Sequence, residues 1–421
     1  MKMHMKTRIR DKIRRTFKNM RLIRKIKDVN TYIKEVYVDQ NFNTENIIVE
    51  HRSNNPKRDF LFVNRAQCKH IPASPLNMKK MCKTLADKVN ESLHWRYENV
   101  LVVGFAETAT AIGTNVAREL RMNCYNTHTT REEVRGSVQL ITFEEEHSHA
   151  TTQRLLTHGD NPVDLSQFDY VLFVEDEIST GKTILNFIDA FEKVHSGLKY
   201  GVASICNWQN LSDRAKFTDR DIDTFSLISG SLKDANIKME SVELSTNTYE
   251  NVKESDGVKI ITLDLHKDKS RFELNRLGEH VNNSGLPTLC KTVLDELVKC
   301  GDVKSVRIIG TEEFMDMPIE LGYLLELDNK LDVICHATTR SKIDVMNDYG
   351  TGCSNGIKVR YEIPSAYEDG RKTYIYNTDE KTDVTIIISD SLDAEQFKKC
   401  VRALGTVVED SCNKILAIRV C

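Results

Sequence analysis

The sequence lacks the features of a membrane protein, a secreted protein and a disulfide-stapled protein. No apolar run approaches the roughly 18 residues of a transmembrane helix, and no apolar segment follows the basic start as it would in a secretory signal. The eleven cysteines are odd in number and include no C-x-x-C pair, which is typical of free thiols in a reducing compartment. We therefore expect a cytoplasmic protein without a transmembrane segment.

The chain also lacks a strong excess of charge of either sign. It has 421 residues, 40% of them hydrophobic, and a formal net charge of −3, which is an ordinary composition for two or three globular domains. The average hides an asymmetry, because residues 1–27 contain 12 Lys and Arg and one acid, a net charge of +11. The remaining residues therefore carry a net charge of −14.

The basic start has an apolar residue at every third or fourth position, which predicts an amphipathic helix. These positions are Ile9, Ile13, Phe17, Met20, Ile23 and Ile26. Three interpretations stay open: an arm that binds an anionic surface such as nucleic acid or a membrane, a helix that binds a partner, and a capping helix with a solvated basic face.

Short apolar runs alternate with helical patterns along the rest of the chain. Residues 100–104, 170–174 and 201–206 are strand-like, and residues 108–121 and 182–194 are helix-like. This alternation predicts an α/β fold with a parallel sheet whose ligands bind at the carboxyl ends of the strands.

A polar stretch over residues 229–257 predicts a linker or an insertion. Residues 286–300 are helix-like, and a second series of strands and helices begins at Val306. Four tyrosines between 361 and 376 either stack on a base or belong to a hairpin that turns at Asp369-Gly370, and the hairpin is the favoured interpretation.

The most informative motif is the run VLFVEDEISTGKT at residues 171–183. A strand is followed by Glu175 and Asp176, which can accept hydrogen bonds from vicinal sugar hydroxyls, directly or through Mg²⁺. The loop that opens the next helix suits a phosphate, because amides at a helix N-terminus favour anions and glycine permits close approach. The candidate phosphate-binding residues are Ser179, Thr180, Gly181, Lys182 and Thr183.

Two alternatives compete with a sugar-phosphate site at this motif. A nucleotide-binding P-loop requires glycine at position 176, where this chain has Asp176, so that interpretation is rejected. An ordinary strand–loop–helix with a Ser or Thr cap stays open, although two acids at the end of a buried strand need a reason.

The motif resembles the signature with which type I phosphoribosyltransferases bind 5-phosphoribosyl-1-pyrophosphate (PRPP). The resemblance implies that Glu175 and Asp176 contact the ribose hydroxyls and Mg²⁺, and that Ser179 to Thr183 hold the 5′-phosphate. It further implies a Mg²⁺-dependent pentosyltransferase of nucleotide metabolism, homo-oligomeric, that transfers 5-phosphoribose to a nucleobase-like acceptor and releases pyrophosphate. PRPP is then a co-substrate.

The resemblance extends to the residues upstream of the motif. Phe105, Ala106 and Glu107 follow a strand where these enzymes place their pyrophosphate loop. The polar region over residues 129–150 resembles the mobile loop that closes over PRPP, in which Arg131 contacts pyrophosphate. The same resemblance makes His147 and His149 proton shuttles or metal ligands, whereas an ordinary surface loop is the alternative.

Residues 55–72 lie where enzymes like orotate phosphoribosyltransferase build a hood over the base. Their aromatic and basic side chains suit an anionic or aromatic acceptor, and they suit an ordinary amphipathic strand almost as well.

Three segments of the chain recur in the same order. Residues 100–107 correspond to 306–313, Thr129-Thr130-Arg131 corresponds to Thr338-Thr339-Arg340, and residues 169–176 correspond to 383–390. The order and the spacing predict a tandem duplication or two similar folds. The second copy has no Gly-Lys-Thr loop after Asp390, so we expect its PRPP site to be degenerate.

Residues 310–315 and 336–341 also resemble the TRSP domain, which follows a phosphoribosyltransferase in bacterial tellurium and stress-resistance gene clusters. The proline of that signature is Lys342 here. The expected organisation is a basic arm, a phosphoribosyltransferase domain, a linker or insertion, and a TRSP-like degenerate phosphoribosyltransferase-like α/β domain. The corresponding ranges are 1–27, 28–228, 229–295 and 296–421.

Two other functions stay open. The +11 arm suggests a PRPP-sensing regulatory module that binds nucleic acid and has no transferase activity. In a structural interpretation, the second copy serves only as a dimer or partner surface.

Overall fold

The structure is a computed structural model that describes residues 20–23, 32–52, 58, 60–93, 95–132, 137–143, 153–159, 162–233, 247–248, 258–265, 279–280, 285–345 and 356–420. The described residues fall into two compact units. The first is drawn from Met1–Glu45, Met81–Ile237 and Leu274–Val281, and the second from Asn46–Lys80, Lys238–Glu273 and Asn282–Cys421.

In chain order the strands are β1 (Met20–Ile23), β2 (Ile33–Asp39), β3 (Ile47–His51), β4 (Phe60–Asn64), β5 (Asn99–Gly104), β6 (Asn123–His128), β7 (Ser137–Phe143), β8 (Gln153–His158), β9 (Tyr170–Ile178), β10 (Lys199–Asn207), β11 (Asp223–Leu232), β12 (Asn247–Thr248), β13 (Val258–Leu263), β14 (Glu279–His280), β15 (Ser305–Gly310), β16 (Asp332–Ala337), β17 (Arg360–Pro364), β18 (Lys372–Tyr376), β19 (Thr382–Ser389) and β20 (Cys412–Val420). The described α-helices are α1 (Pro75–Leu93), α2 (Thr110–Glu119), α3 (Lys182–Val194), α4 (Leu211–Asp219), α5 (Leu286–Cys300), α6 (Asp316–Asn329) and α7 (Ala394–Val408).

The first unit is built on a sheet of eight strands in the order β1-β2-β11-β10-β9-β5-β6-β14. The strands from β11 to β6 are parallel, and the outer ones are antiparallel to their neighbours. This arrangement confirms the expected parallel α/β fold and brings the carboxyl ends of β5, β6 and β9 to one edge of the sheet.

Aromatic side chains form the core between β9 and α3. The ring of Phe173 in β9 lies 5.8 Å from that of Phe105 and 5.7 Å from those of Phe187 and Phe191. Helix α3 buries Ile184, Phe187, Ile188 and Phe191, which is the three- and four-residue spacing of one helical face. This packing fixes the start of α3 against the end of β9.

The second unit has a parallel sheet of five strands in the order β13-β20-β19-β15-β16. The series β20-β19-β15-β16 repeats the order β10-β9-β5-β6 of the first unit. In the chain, the antiparallel hairpin of β7 and β8 directly precedes β9, and the antiparallel hairpin of β17 and β18 directly precedes β19. The two units thus have similar strand orders, as the recurring segments predict. Strand β13 lies in the segment that the sequence predicts to be a linker or insertion.

Two aspartates, one in each unit, lie at the amino ends of the parallel strands and make the same hydrogen bonds. Asp169 Oδ2 accepts hydrogen bonds from the amides of Glu98 and Asn99, at 3.2 and 3.0 Å. Asp383 Oδ2 accepts from the amides of Lys304 and Ser305, at 2.8 and 2.9 Å, and these bonds lower the pKa of Asp383. Each aspartate thus ties the start of one strand to the start of its neighbour.

The predicted N-terminal helix is wrong for Met20–Ile23. These residues form β1, which pairs antiparallel with β2. The exposed edge of β2 offers backbone donors and acceptors, and pairing with them outweighs a local helical periodicity. Residues 1–19 and 24–27 lie outside the described residues.

Residues 46–80, which include the predicted hood, pack within the second unit. The hairpin of β3 and β4 buries Ile48 and Val63 in a cluster with Ile343, Tyr374 and Tyr376. Residues 60–64 of the predicted hood are therefore a strand whose last three residues are buried, and the role of this segment as a hood stays a prediction.

Lys69 of the same segment is fully buried. Its ammonium group donates to the carbonyl oxygens of Glu312 and Thr338, at 2.6 and 2.9 Å. The described contacts therefore give Lys69 a structural role within the second unit.

The tyrosine-rich segment is a hairpin, as predicted. Strands β17 and β18 pair antiparallel, and Gly370 in the turn has a φ of 76°, a left-handed conformation that suits glycine.

The nine cysteines described are free. Within the described residues, no helix has both the length and the apolarity needed to cross a membrane.

Candidate active site

The candidate site lies at the carboxyl edge of the first sheet, where three adjacent parallel strands end. The loop after β5 is anchored on both sides, because Phe105 N donates to Val174 O at 3.0 Å and Thr129 N donates to Gly104 O at 2.9 Å. The segments that follow β5, β6 and β9 are therefore neighbours. The structure thus brings together the predicted pyrophosphate loop, Arg131's segment and the Glu175–Thr183 motif.

The two acids of the motif lie inside β9, whereas the sequence places them after the strand. The pairing of β9 with β10 continues from Glu175 to Ile178, but its pairing with β5 ends at Val174. Because β10 supports the longer strand, Glu175 and Asp176 project beyond the end of β5. They are half-buried, whereas the five preceding residues are buried, and neighbouring side chains of a strand point to opposite faces.

Gly181 shapes the loop between β9 and α3. Its φ is 75°, and a Cβ atom there would lie 2.5 Å from the Phe217 ring and 2.7 Å from Gln209 Nε2. Gln209 Nε2 also donates to Thr180 O at 3.1 Å, and Trp208 N donates to Ile178 O at 2.7 Å. The segment after β10 therefore holds the loop in place. Sequence reasoning missed Trp208 and Gln209, whose signal is their position after a strand of the same edge.

The N-terminus of α3 has no side-chain cap at Gly181. The first amides of a helix have no acceptor within the helix, and the helix dipole favours negative charge there. Lys182 N donates to Thr180 Oγ1 at 3.3 Å. Thr180 and Lys182 are exposed, and Ser179 and Thr183 are half-buried. The electrostatics at this end of α3 therefore favour an anion, and the binding of a phosphate there stays a prediction.

In the loop after β5, the backbone is more available to a ligand than the side chains are. The Phe105 ring is in the core, 5.5 Å from that of Phe187. Ala106 N donates to Thr129 Oγ1 at 2.9 Å. Ala106 and Glu107 are buried, and the peptide bond between them is cis.

Arg131 lies in the segment after β6 and is half-buried. Thr130 pairs with Arg154 of β8 in both directions, at 2.8 and 3.1 Å, and Arg154 Nη2 donates to the carbonyls of Arg131 and Glu132 at 3.4 and 3.3 Å. The hairpin of β7 and β8 thus fixes the backbone that carries Arg131. His147 and His149 lie outside the described residues.

The acids of this edge fit a magnesium ion that is shared with a substrate. No group of three or more His, Cys, Asp or Glu suited to hold a metal occurs among the described residues. Mg²⁺ is commonly held by one or two carboxylates together with water and substrate phosphates. Glu175 and Asp176 offer that number of carboxylates, so they suit a shared site and not a cage made by the protein alone.

Two family models match the chain. The model described as "Phosphoribosyl transferase" matches residues 49–231, and the model described as "TRSP domain C terminus to PRTase_2" matches residues 268–404. The second description states that a TRSP domain follows the phosphoribosyl transferase domain, which is the order found here. No curated protein matches the chain.

Solved structures of adenine phosphoribosyltransferases are similar to part of the chain. The Trypanosoma brucei enzyme is 14% identical, with 48% of this chain and 86% of that chain covered and a TM-score of 0.32. The Rhodothermus marinus enzyme is 17% identical, with 44% and 94% covered and a TM-score of 0.32. The Giardia lamblia enzyme is 15% identical, with 44% and 93% covered and a TM-score of 0.31. Residues 49–231 thus match the phosphoribosyl transferase family, and residues 268–404 match the TRSP domain that follows it.

Proposed function

We propose that the first unit transfers the 5-phosphoribosyl group of PRPP to a nucleobase-like acceptor, with Mg²⁺ and with release of pyrophosphate. One observation carries the proposal. The carboxyl edge of the first sheet combines two half-buried carboxylates on β9 with the N-terminus of α3, whose N-cap residue is glycine. A ribose 5-phosphate needs this combination, because it presents vicinal hydroxyls at one end and a dianion at the other.

The residues divide the substrate between them. Glu175 and Asp176 accept hydrogen bonds from the ribose hydroxyls, and the amides and hydroxyls of residues 179–183 hold the 5′-phosphate. Arg131 and the backbone of residues 105–107 bind pyrophosphate. His147 and His149 are assigned a proton-shuttle role. When bound, Mg²⁺ supplies positive charge to the pyrophosphate oxygens.

The reaction needs positioning and charge stabilisation more than a protein nucleophile. The bond from ribose C1 to a pyrophosphate oxygen breaks, a nitrogen of the acceptor bonds to C1, and the proton of that nitrogen leaves to a base or to water. The carboxylates of β9 hold the ribose in one orientation. Arg131 stabilises the negative charge that develops on the leaving pyrophosphate.

A pyrophosphate-release assay tests the proposal. We expect the protein with PRPP and Mg²⁺ to release pyrophosphate with at least one member of a nucleobase panel. The double variant Glu175→Ala/Asp176→Ala should stay folded and lose at least tenfold in PRPP affinity. The control Asp189→Ala/Asp219→Ala removes two exposed carboxylates of the same unit and should behave as wild type. A wild-type protein that neither binds PRPP nor releases pyrophosphate contradicts the proposal.

The regulatory alternative is a separate outcome. It is favoured if PRPP binds without turnover and if nucleic acid binding weakens steeply with salt. Deleting residues 1–19 is the suitable test, because it removes eight of the 12 basic residues of the arm and leaves β1 in place. Binding that survives this deletion rejects a role for the arm.

A further inference from the structure

The two units make the same hydrogen bonds at the carboxyl edges of their sheets. In the first, Ala106 N donates to Thr129 Oγ1, and in the second, Glu312 N donates to Thr338 Oγ1, both at 2.9 Å. These bonds establish Glu312 as the counterpart of Ala106.

A second pair of contacts continues the correspondence. Thr130 pairs with Arg154 in both directions, and Thr339 pairs in the same way with Tyr374. The residue that follows each threonine is an arginine, so Arg340 is the counterpart of Arg131.

Glu312 puts a carboxylate where the first unit has a methyl group. Its side chain is fully buried, and it accepts hydrogen bonds from Arg340 Nε at 2.8 Å and from the Ser365 hydroxyl. Its φ is 46°, which is unfavourable for a residue other than glycine. A buried carboxylate is stable when a cation and a hydrogen-bond donor satisfy it. Glu312 thus gives Arg340 an anionic partner from its own chain.

A second carboxylate fills the matching helix N-terminus. Asp393 is the N-cap of α7, and its Oδ1 accepts from the amides of Glu395 and Gln396, both at 2.8 Å. The matching helix α3 begins at Gly181, which provides no such cap. The end that favours an anion in the first unit is therefore occupied by a side chain in the second.

The turn between β17 and β18 covers this edge of the second sheet. The Tyr367 hydroxyl hydrogen-bonds with Thr311 Oγ1 at 2.6 Å and with Asp390 Oδ1 at 3.0 Å. Asp390 is fully buried, whereas its counterpart Asp176 is half-buried. The edge is thus closed by contacts among its own residues.

We propose that the second unit carries an anion site that its own side chains occupy: Glu312 and Asp393 stand where the first unit takes anionic groups, and removal of Glu312 opens a site for a small polyanion against Arg340. The wild-type second unit then binds no phosphorylated ligand. The proposal goes beyond the function proposed for the first unit, and it rests on that function for the class of ligand and for the positions of the anionic groups.

Counting pyrophosphate sites on the full chain tests this proposal. Titration calorimetry with inorganic pyrophosphate should find one more site per chain in Glu312→Ala than in wild type. Adding Arg340→Met should abolish the extra site. The control Glu362→Ala breaks a different ion pair of the second unit, with Lys372, and should add no site.

The wild-type count reports the first unit, and the difference between the counts reports the second, so the two proposals fail separately. A folded Glu312→Ala protein with the wild-type count overturns the inference. If Glu312→Ala does not fold, Glu312→Gln keeps the volume and removes the charge, and pyrophosphate should then raise its melting temperature more than that of wild type. An equal shift in the two proteins overturns the inference as well.

Discussion

Position 181 has two requirements that no amino acid other than glycine satisfies together. Its backbone is left-handed, and the space where a side chain would begin is filled by Phe217 and Gln209. The conformation of the loop between β9 and α3 therefore requires a residue without a Cβ atom at position 181. The glycine is visible in the sequence, but the ring that excludes a larger residue is not, because Phe217 is 36 positions away and reaches the loop only through the packing of α4.

We expect Gly181→Ala to lower the free energy of unfolding by about 2–4 kcal/mol, from the left-handed backbone and the overlap with Phe217, and to weaken PRPP binding at least tenfold. Chemical denaturation and PRPP titration measure the two effects. Gly197→Ala is the matched control, because Gly197 also has a positive φ, of 92°, but its Cβ would meet nothing within 4 Å. Equal losses in the two variants would show that overlap contributes nothing.

His336 in β16 makes the second unit sensitive to acid. Burial, with the positive charge of Arg307 nearby, lowers the pKa of His336 to about 3, whereas an unfolded histidine titrates near 6.5. Between these two pKa values the unfolded state therefore binds more protons than the folded state. The contribution of His336 to the unfolding free energy is fully present above pH 6.5 and is lost progressively as the pH falls. The slope from this group is about 1.4 kcal/mol per pH unit.

We expect His336→Gln to flatten the decline in unfolding free energy between pH 6 and pH 4 by that amount. Urea denaturation of both proteins across this range, followed by circular dichroism, measures it. Near pH 8, residue 336 should contribute nothing to the pH dependence of the unfolding free energy in either protein. An unchanged slope in the variant would show that His336 is protonated in the folded protein.

At the scale of elements, a strand's length and partners depend on distant residues. The apolar run at 171–174 and the loop that follows predict β9 and α3 correctly. The extension of β9 through Glu175 to Ile178 is not predictable locally, because it comes from pairing with β10. The same reason explains Met20–Ile23, which form a strand only because the edge of β2 is available. The candidate site was predictable where one continuous motif carries it.

The paired aspartates at the starts of β9 and β19 give a prediction for these elements. Asp169→Ala and Asp383→Ala should each lower the unfolding free energy of their own unit by about 1–2 kcal/mol, since each leaves strand amides without an acceptor. Trp208 is buried in the first unit, so its fluorescence should report the Asp169→Ala effect. If only Asp383→Ala shifted the unfolding transition that tryptophan fluorescence reports, the stabilising role given to Asp169 in the first unit would be contradicted.

At the scale of the whole molecule, the second unit is assembled from separate stretches of chain. Residues 46–80 belong to it, although residues 1–45 and 81–237 belong to the first unit. They supply the buried Lys69 and the hydrogen bond between His51 Nδ1 and Asp344 Oδ2, which are 2.6 Å apart. Sequence order cannot reveal this, because the segment precedes the motif at 171–183 and the sequence therefore predicts that it belongs to the same domain, residues 28–228, as that motif.

We expect residues 238–421 to be unfolded when expressed alone, since the carbonyls of Glu312 and Thr338 lose the Lys69 ammonium and the β3–β4 hairpin no longer covers its apolar cluster. The same fragment joined to residues 46–80 through a flexible linker should show cooperative thermal unfolding. Circular dichroism of the two fragments measures the difference. Cooperative unfolding of residues 238–421 alone would show that the early segment is dispensable.

This arrangement also affects the protein during its synthesis. His51 and Asp344 are 293 positions apart, so at translation rates of about 5–20 residues per second the hairpin leaves the ribosome roughly 15–60 seconds before its partner. Throughout that interval the nascent chain carries an apolar hairpin with nothing to pack against. A product that terminates before β18 lacks Tyr374 and Tyr376, with which the hairpin forms its apolar cluster, so we expect such a product to leave the hairpin exposed.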